Sequence, residues 1–262
     1  MNSLEYEMIE LLKILKEKYG VFEIKAEYEN EGSRQTELMR LKDIAEKLDL
    51  PIILKIGGVE AVTDMYNALA LGVKGIIAPM AETGFAASKF LNAIHTFVPE
   101  DNQKDIEFAI NIETITAYKN LDEILSLEKL NLLSSLTIGR VDFGGSLGAD
   151  RSFSNSDKML KYCLEIFQKA KSKNLKTALG GAIATEAIPF IKILDSEKLI
   201  DKYETRKLVF HKDGIKKIEE GLPIGVKFEL MWLKSKRRYY HRVRDEDEKR
   251  IQMLEKRVKD IS

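Results

Sequence analysis

The sequence predicts an α/β fold of the TIM-type (β/α) barrel class, and three observations carry that prediction. Short apolar runs alternate with segments of helical periodicity, the signature of βα units around a mainly parallel sheet. The residues that close those runs, Glu27, Lys55, Pro79, Glu113, Asp142, Gly180 and Phe210, follow one another at intervals of 24 to 38 residues. A barrel of ~250 residues allots about 31 to each of its eight units, so the rhythm fits. Two of these closing residues, Glu113 and Asp142, are acidic and lead into loop or helix-start chemistry, which is where a parallel barrel keeps its reactive groups.

Leu4, Met8, Leu11, Leu12 and Leu15 fall on one helical face and predict an opening helix that stops near Gly20. Val21 to Glu27 reads as a strand. The alternation continues with a helix from Thr36 to Leu48, a strand from Leu50 to Ile56, a helix from Glu60 to Leu71 and a strand from Val73 to Pro79. Helices follow at Phe85 to His95, Ala117 to Leu127, Lys158 to Ser172 and Ile188 to Leu194. Between and after them lie strands at Ile106 to Ile112, Leu133 to Val141, Lys176 to Leu179 and Lys207 to His211. Only seven strands are evident. The first strand is therefore incomplete or modified, or an eighth lies before the opening helix or after residue 214. An open doubly wound sheet is the alternative fold, but no Gly-x-Gly-x-x-Gly turn follows the first strand.

A chain of 262 residues with 44% hydrophobic content can bury one large core, and residues 1–221 are read as a single barrel domain. Lys+Arg and Asp+Glu both number 42, so no global field recruits nucleic acid or an anionic membrane. The single cysteine, Cys163, cannot form an internal disulfide and reads as core filler in a reducing compartment. The acidic start lacks a signal core, and a soluble cytoplasmic protein is expected.

Residues 222–262 change character. An apolar and aromatic stretch gives way to the basic run Lys234 to Arg244, then to mixed charge, and Ile251, Leu254, Val258 and Ile261 repeat every three or four residues. This predicts a helical extension that packs subunits into a homo-oligomer. RNA binding is the weaker reading, because the basic run is short and flanked by acid.

Two carboxylates on neighbouring strands supply oxygen ligands for Mg²⁺ or Mn²⁺, ions that leave coordination positions to water or substrate. A cation so held can polarise a 2-keto acid and stabilise the enolate formed when a carbon–carbon bond at C3 breaks or forms. The same spacing equally allows Glu113 to cap a helix and Asp142 to pair with Arg140 or Arg151. Lys25, which alternates inward with Glu27, could form a Schiff base but more simply offsets Glu27 or Glu29. His211, ending the last strand, is the one histidine placed to reach the mouth.

The wording around the acidic pair resembles a known family. Ile112-Glu-Thr-Ile-Thr-Ala-Tyr-Lys-Asn-Leu-Asp-Glu-Ile124 and Ile138-Gly-Arg-Val-Asp-Phe-Gly-Gly-Ser-Leu-Gly148 are similar to segments of the HpcH/HpaI aldolase and citrate lyase family of the phosphoenolpyruvate/pyruvate barrel superfamily. Gly72-Val-Lys-Gly-Ile-Ile-Ala-Pro-Met-Ala-Glu-Thr83 extends the resemblance upstream. The resemblance implies a divalent metal on Glu113 and Asp142, a bound pyruvate or oxaloacetate moiety, and Gly144, Gly145 and Ser146 against the substrate carboxylate. It implies a carbon–carbon lyase or aldolase acting on a 2-keto acid. The alternatives are a citrate- or malyl-CoA-type ester lyase, or an altered barrel that keeps its metal and serves as an assembly subunit.

The departures from the family pattern define the remaining candidates. Lys55 stands where the aldolases carry an Arg, offering positive charge without the bidentate fork of a guanidinium. Glu27-Tyr28 stands where they carry Glu-His, and a Tyr titrating near ~10 is a poorer acid/base at neutral pH than a His near ~6.5. Gly139-Arg140 replaces the usual Gly-Pro. Lys55, Glu27, Tyr28 and Arg140 are therefore the catalytic candidates; separately, Arg34 on a strand-end loop could clamp a substrate carboxylate or equally be a solvated loop residue.

Overall fold

The computed structural model describes residues 1–259, without the side chains of Tyr239 and of residues 257–259, so Ile261 and the Val258 side chain of the expected apolar repeat lie outside the described residues. The opening helix, Ser3–Tyr19, begins with a capping box in which the Asn2 side chain accepts from Glu5 N–H and the Glu5 carboxylate accepts from Asn2 N–H. It ends at Gly20, whose φ of 76° is the left-handed conformation that releases the chain into the first strand. Met8, Leu12 and Leu15 are fully buried on one face of this helix, each contributing about 1.5–3 kcal/mol of transfer free energy.

Eight strands close into a barrel in chain order: β1 (Val21–Glu27), β2 (Ile52–Lys55), β3 (Gly75–Ala78), β4 (Glu107–Ile112), β5 (Ser135–Gly139), β6 (Lys176–Gly180), β7 (Lys202–Glu204) and β8 (Leu208–His211). From β1 through β7 each neighbouring pair is parallel, with Glu27 opposite Lys55, Ile112 opposite Ile138 and Gly139 opposite Gly180. The last strand runs the other way. β8 is antiparallel both to β7 and to β1, so the sequence's last apolar run is a returning hairpin arm.

The first strand is complete with seven residues, and the missing strand is β7, three residues long. It lies neither before the opening helix nor after residue 214, and Lys202-Tyr-Glu204 is too short and too polar to register as an apolar run. Reversal of β8 also moves His211. Its backbone N–H donates to the Gly20 carbonyl at the entry of β1, so His211 sits at the end opposite the mouth, where its Nδ1 accepts from Asp213 N–H at 3.3 Å.

A middle layer inside the barrel is apolar, formed by Ile53, Ile77, Ala109 and Val209. Above and below it the lumen is charged. At the closed end Lys202 lies 3.3 Å from Glu23; at the mouth Lys25, Glu27, Lys55 and Glu204 are all buried. β1, β2 and the three-residue β7 thus deliver ionic groups into a space that barrels of this class usually fill with branched apolar side chains.

The final helix, Ile218–Lys259, crosses the opening helix, where Tyr19 Oη donates to Glu220, and also meets the helix Gln35–Glu46, whose Arg40 Nη2 donates to Ser235 Oγ at 3.1 Å. Phe228 and Trp232 are buried, whereas residues 241–256 are exposed throughout. Among the described residues no helix is long and apolar enough to cross a membrane.

Candidate active site

A cavity of about 220 Å³ opens at the C-terminal ends of the parallel strands. Glu113 and Asp142 both line it, one immediately after β4 and the other in the first turn of the short helix Arg140–Ser146 that follows β5. Lys25, Glu27, Lys55, Asn111, Thr137 and Glu204 line the same space. The strand period of two explains the set, because Lys25 and Glu27, or Asn111 and Glu113, alternate inward while Ile24, Ala26, Ile110 and Ile112 join the outer core.

Glu113 is held from two directions. Its Oε1 accepts from Met80 N–H at 3.0 Å and its Oε2 accepts from Asn111 Nδ2 at 3.1 Å. Met80 has φ of 51°, an uncommon left-handed conformation for a side chain of this size, and that geometry aims its N–H at the carboxylate. Gly139 is equally fitted: a Cβ there would stand 2.5 Å from Glu113 Oε2. Burial pushes the Glu113 carboxyl above the ordinary range against Lys55, the Met80 N–H and the Asn111 amide, and the nearby charge of Asp142 adds to the rise.

Neither alternative role for the acidic pair is taken up. Thr114, whose Oγ1 accepts from Ala117 N–H, caps the following helix in place of Glu113. Asp142 is exposed to the cavity and makes no hydrogen bond or ion pair with any described residue, Arg140 and Arg151 included. Among the described residues no cluster of three or more His, Cys, Asp or Glu is gathered for a metal, so a cation here would rest on two carboxylates and water. The buried Asn111 Oδ1 and Thr137 Oγ1, which have no hydrogen-bond partner, enrich the same space in hard oxygen acceptors. That donor set fits Mg²⁺ or Mn²⁺.

Lys55 is the centre of an ion-pair cluster. Its Nζ lies 2.7 Å from Glu29 Oε2 and 3.6 Å from Glu27 Oε2. Burial opposes its charge, but Glu113, Glu27 and Glu29 together hold the ammonium above its ordinary pKa. Burial likewise opposes ionisation of Glu27, and Lys25, Lys55, Arg206 and Lys207 outweigh it, holding that carboxyl below the usual range.

Six candidate residues lie elsewhere. Tyr28 leaves the cavity wall, donates its hydroxyl to Gln35 Oε1 at the start of the next helix, and is pushed up to about 12 by burial, with the Asp64 charge adding to it. Arg34 is exposed, with its guanidinium 4.7 Å from the centre of the Tyr240 ring on the final helix. Gly144, Gly145 and Ser146 belong to the second turn of their helix and do not line the cavity; Ser146 Oγ donates to Phe143 O and accepts from Ile115 N–H. Arg140 is fully buried, and its five N–H groups go to the carbonyls of Gly180, Gly181, Ala182 and Ser154 and to Asn155 Oδ1. It therefore fixes the loop after β6.

That loop is a part of the site the sequence reading missed. Gly180, Gly181, Ala182, Ile183 and Ala184 line the cavity, and Gly181 (φ 75°) must be glycine because a Cβ would come within 2.8 Å of the Arg140 and Val141 amides. The Gly-Gly pair ending an apolar run was the available signal. Arg151 and Arg206 at the rim were missed as well. Lys25 does not directly offset Glu29: its Nζ donates to Glu204 Oε2 at 2.7 Å, across to the strand that pattern reading did not find.

The sequence model of the HpcH/HpaI aldolase/citrate lyase family matches residues 41–186, more than half of the chain. The chain belongs to the HpcH/HpaI aldolase/citrate lyase family. Solved structures agree on the fold. The citrate synthase SbnG superposes with a TM-score of 0.59 at 15% identity, over 74% of this chain and 88% of that one. An HpcH/HpaI aldolase from Desulfitobacterium hafniense DCB-2 superposes with a TM-score of 0.58 at 13% identity, over 76% and 81% of the two chains. No curated protein sequence matches this family member. The matched residues span β2 through β6, so the Glu113 and Asp142 segments fall inside the match and β1, β7 and β8 fall outside it.

Proposed function

We propose that this family member is a divalent-metal-dependent carbon–carbon lyase or aldolase acting on a 2-keto acid. The observation that carries the reading is Asp142: it faces the same cavity as Glu113 and has neither a hydrogen bond nor a salt bridge. An acidic pair with one member left unneutralised is what a hard cation requires.

Glu113 and Asp142 would hold Mg²⁺ or Mn²⁺, which when bound supplies positive charge at the keto oxygen of a 2-keto acid. The chain's own groups do the rest. Lys55, kept protonated by its three acidic neighbours, adds a fixed cation beside Glu113 where enolate charge develops. Arg140 locks the Gly180 to Ala182 loop into one wall, so that the cavity keeps its shape as substrate enters. Arg151 and Arg206 place positive charge at the rim, suited to the carboxylate of a keto acid. The Tyr28 hydroxyl takes no part in proton transfer, since it is directed at Gln35.

Oxaloacetate decarboxylation with and without Mg²⁺ or Mn²⁺ tests the reading. Metal-dependent turnover that falls at least ~100-fold in Glu113→Ala and Asp142→Ala supports it. Metal binding with no turnover across 2-keto acids and aldehydes favours an assembly role instead. Self-association belongs to the same proposal: Val226, Leu230 and Leu233 are exposed along the final helix, and Ile251 and Leu254 continue the stripe. Sedimentation of the full chain with Leu230 and Leu233 changed to Ser should then show fewer subunits per particle than the unchanged chain.

A further inference from the structure

With Tyr28 outside the cavity, the site needs another group to move the substrate proton, and this inference rests on the lyase reading above. We propose that Glu204 is that base and that Lys25 positions it. Glu204 ends β7, its side chain is 0% exposed, and it lines the cavity. Its two oxygens are differently engaged. Oε2 accepts from Lys25 Nζ at 2.7 Å, whereas Oε1 is buried and has no hydrogen-bond partner. A buried carboxylate oxygen left unsatisfied is costly, and an acceptor that faces a cavity is satisfied when a ligand brings a donor.

The other acidic groups of the cavity are committed. Glu113 accepts from Met80 and Asn111, and Asp142 is its companion at the cation position. Glu27 Oε2 also lacks a hydrogen-bond partner, but Lys55 stands 3.6 Å from it and Lys25, Arg206 and Lys207 add to the positive field that makes this carboxylate the weaker base; Glu229 accepts from Lys207 N–H. Asn111 Oδ1 and Thr137 Oγ1 are unpartnered like Glu204 Oε1, but neither is a base at neutral pH. Among the described carboxylates of the cavity, Glu204 is the one whose unpartnered oxygen is not also crowded by several cations. Lys25 supplies the counter-charge that a desolvated carboxylate requires and fixes its Oε2, which leaves Oε1 as the oxygen without a partner beside the cavity.

In the enolisation half-reaction Glu204 Oε1 takes a proton from C3 of pyruvate. The C3–H bond breaks, its electron pair becomes the C2–C3 double bond, and the carbonyl pair moves to the C2 oxygen as enolate charge. In the cleavage direction the same oxygen takes the C4 hydroxyl proton. The C3–C4 pair then becomes the enolate, and C4 leaves as the aldehyde carbonyl.

The test is exchange of pyruvate C3 protons into D₂O with Mg²⁺ present, followed by NMR, together with calorimetry of oxalate binding. Glu204→Gln is expected to lower exchange at least ~100-fold while leaving oxalate affinity within about threefold. Because Glu204→Gln strands the Lys25 charge, the double variant Lys25→Met with Glu204→Gln, which removes both charges, is measured beside it with the same expectation. Wild-type exchange that survives in both variants overturns the base assignment alone. Loss of exchange together with loss of oxalate binding also overturns it, since the pair would then be structural. Absence of exchange in the wild type overturns both this assignment and the lyase reading.

Discussion

The two sides of the barrel mouth are built on different principles. On the β4 and β5 side, Glu113 is held by hydrogen bonds from the Met80 and Asn111 N–H groups, with a glycine that makes room for it, and the Asp142 side chain is unpaired among the described residues. On the β1, β2, β7 and β8 side, nearly every inward group is a member of a buried ion pair, Lys25 with Glu204, Lys55 with Glu27 and Glu29, and Lys207 with Glu31. The first arrangement leaves the Asp142 side chain unpaired, and the second pairs its charges. The unpaired carboxylate marks the cation position; the ion pairs fix the charged side chains that face the same cavity, Lys55 and Glu204 among them.

The largest difference between the sides should appear on removing one charge from each. Lys55→Met leaves Glu27 and Glu29 without their ammonium and is expected to cost about 3 kcal/mol of stability, as breaking a buried pair does. Asp142→Asn, at an exposed and unpaired position, should leave the melting temperature almost unmoved. Urea titration of both variants checks this, and equal losses would erase the distinction.

A smaller effect follows from Glu113. Its carboxyl is raised above the ordinary value chiefly by burial, so the protonated form persists to higher pH than on an exposed carboxylate. Metal must displace that proton. Affinity for Mn²⁺ is therefore full above the raised pKa and falls as pH drops through it, by up to about tenfold per pH unit. Titration of Mn²⁺ by electron paramagnetic resonance across pH should place the onset of this loss above the usual carboxylate range; an onset within that range would mean that Glu113 is not a ligand.

The smallest expected effect is at Tyr28. Tyr28→Phe removes one hydrogen bond to Gln35, worth about 0.5–1.5 kcal/mol, and should leave steady-state turnover unchanged. A drop of about tenfold or more would return Tyr28 to the chemistry.

The same division governs how much was legible in the sequence. β1 through β6 were readable because each is an apolar run closed by a marker residue and separated by a periodic helix. Glu113 and Asp142 were readable for the same reason, since a carboxylate ending such a run can point only along the barrel mouth or into a cap. β7 was not readable. Lys202, Tyr203 and Glu204 take strand geometry from pairing with β6 and β8, a tertiary cause with no local pattern, and Glu204 was lost with them. Direction is equally absent from pattern, which is why His211 was assigned to the wrong end of the barrel. Arg140, placed correctly in the chain beside Asp142, turned out to be spent on backbone carbonyls because a side chain's orientation at a helix start depends on the loop packed against it.

The most direct measurement is anomalous diffraction from crystals of the full chain grown with Mn²⁺ and oxalate. A single manganese peak at about 2.0–2.2 Å from carboxylate oxygens of Glu113 and Asp142, with oxalate completing its coordination, is the predicted result. A cavity without manganese, or manganese seated instead among Glu27, Glu29 and Glu204, would contradict it.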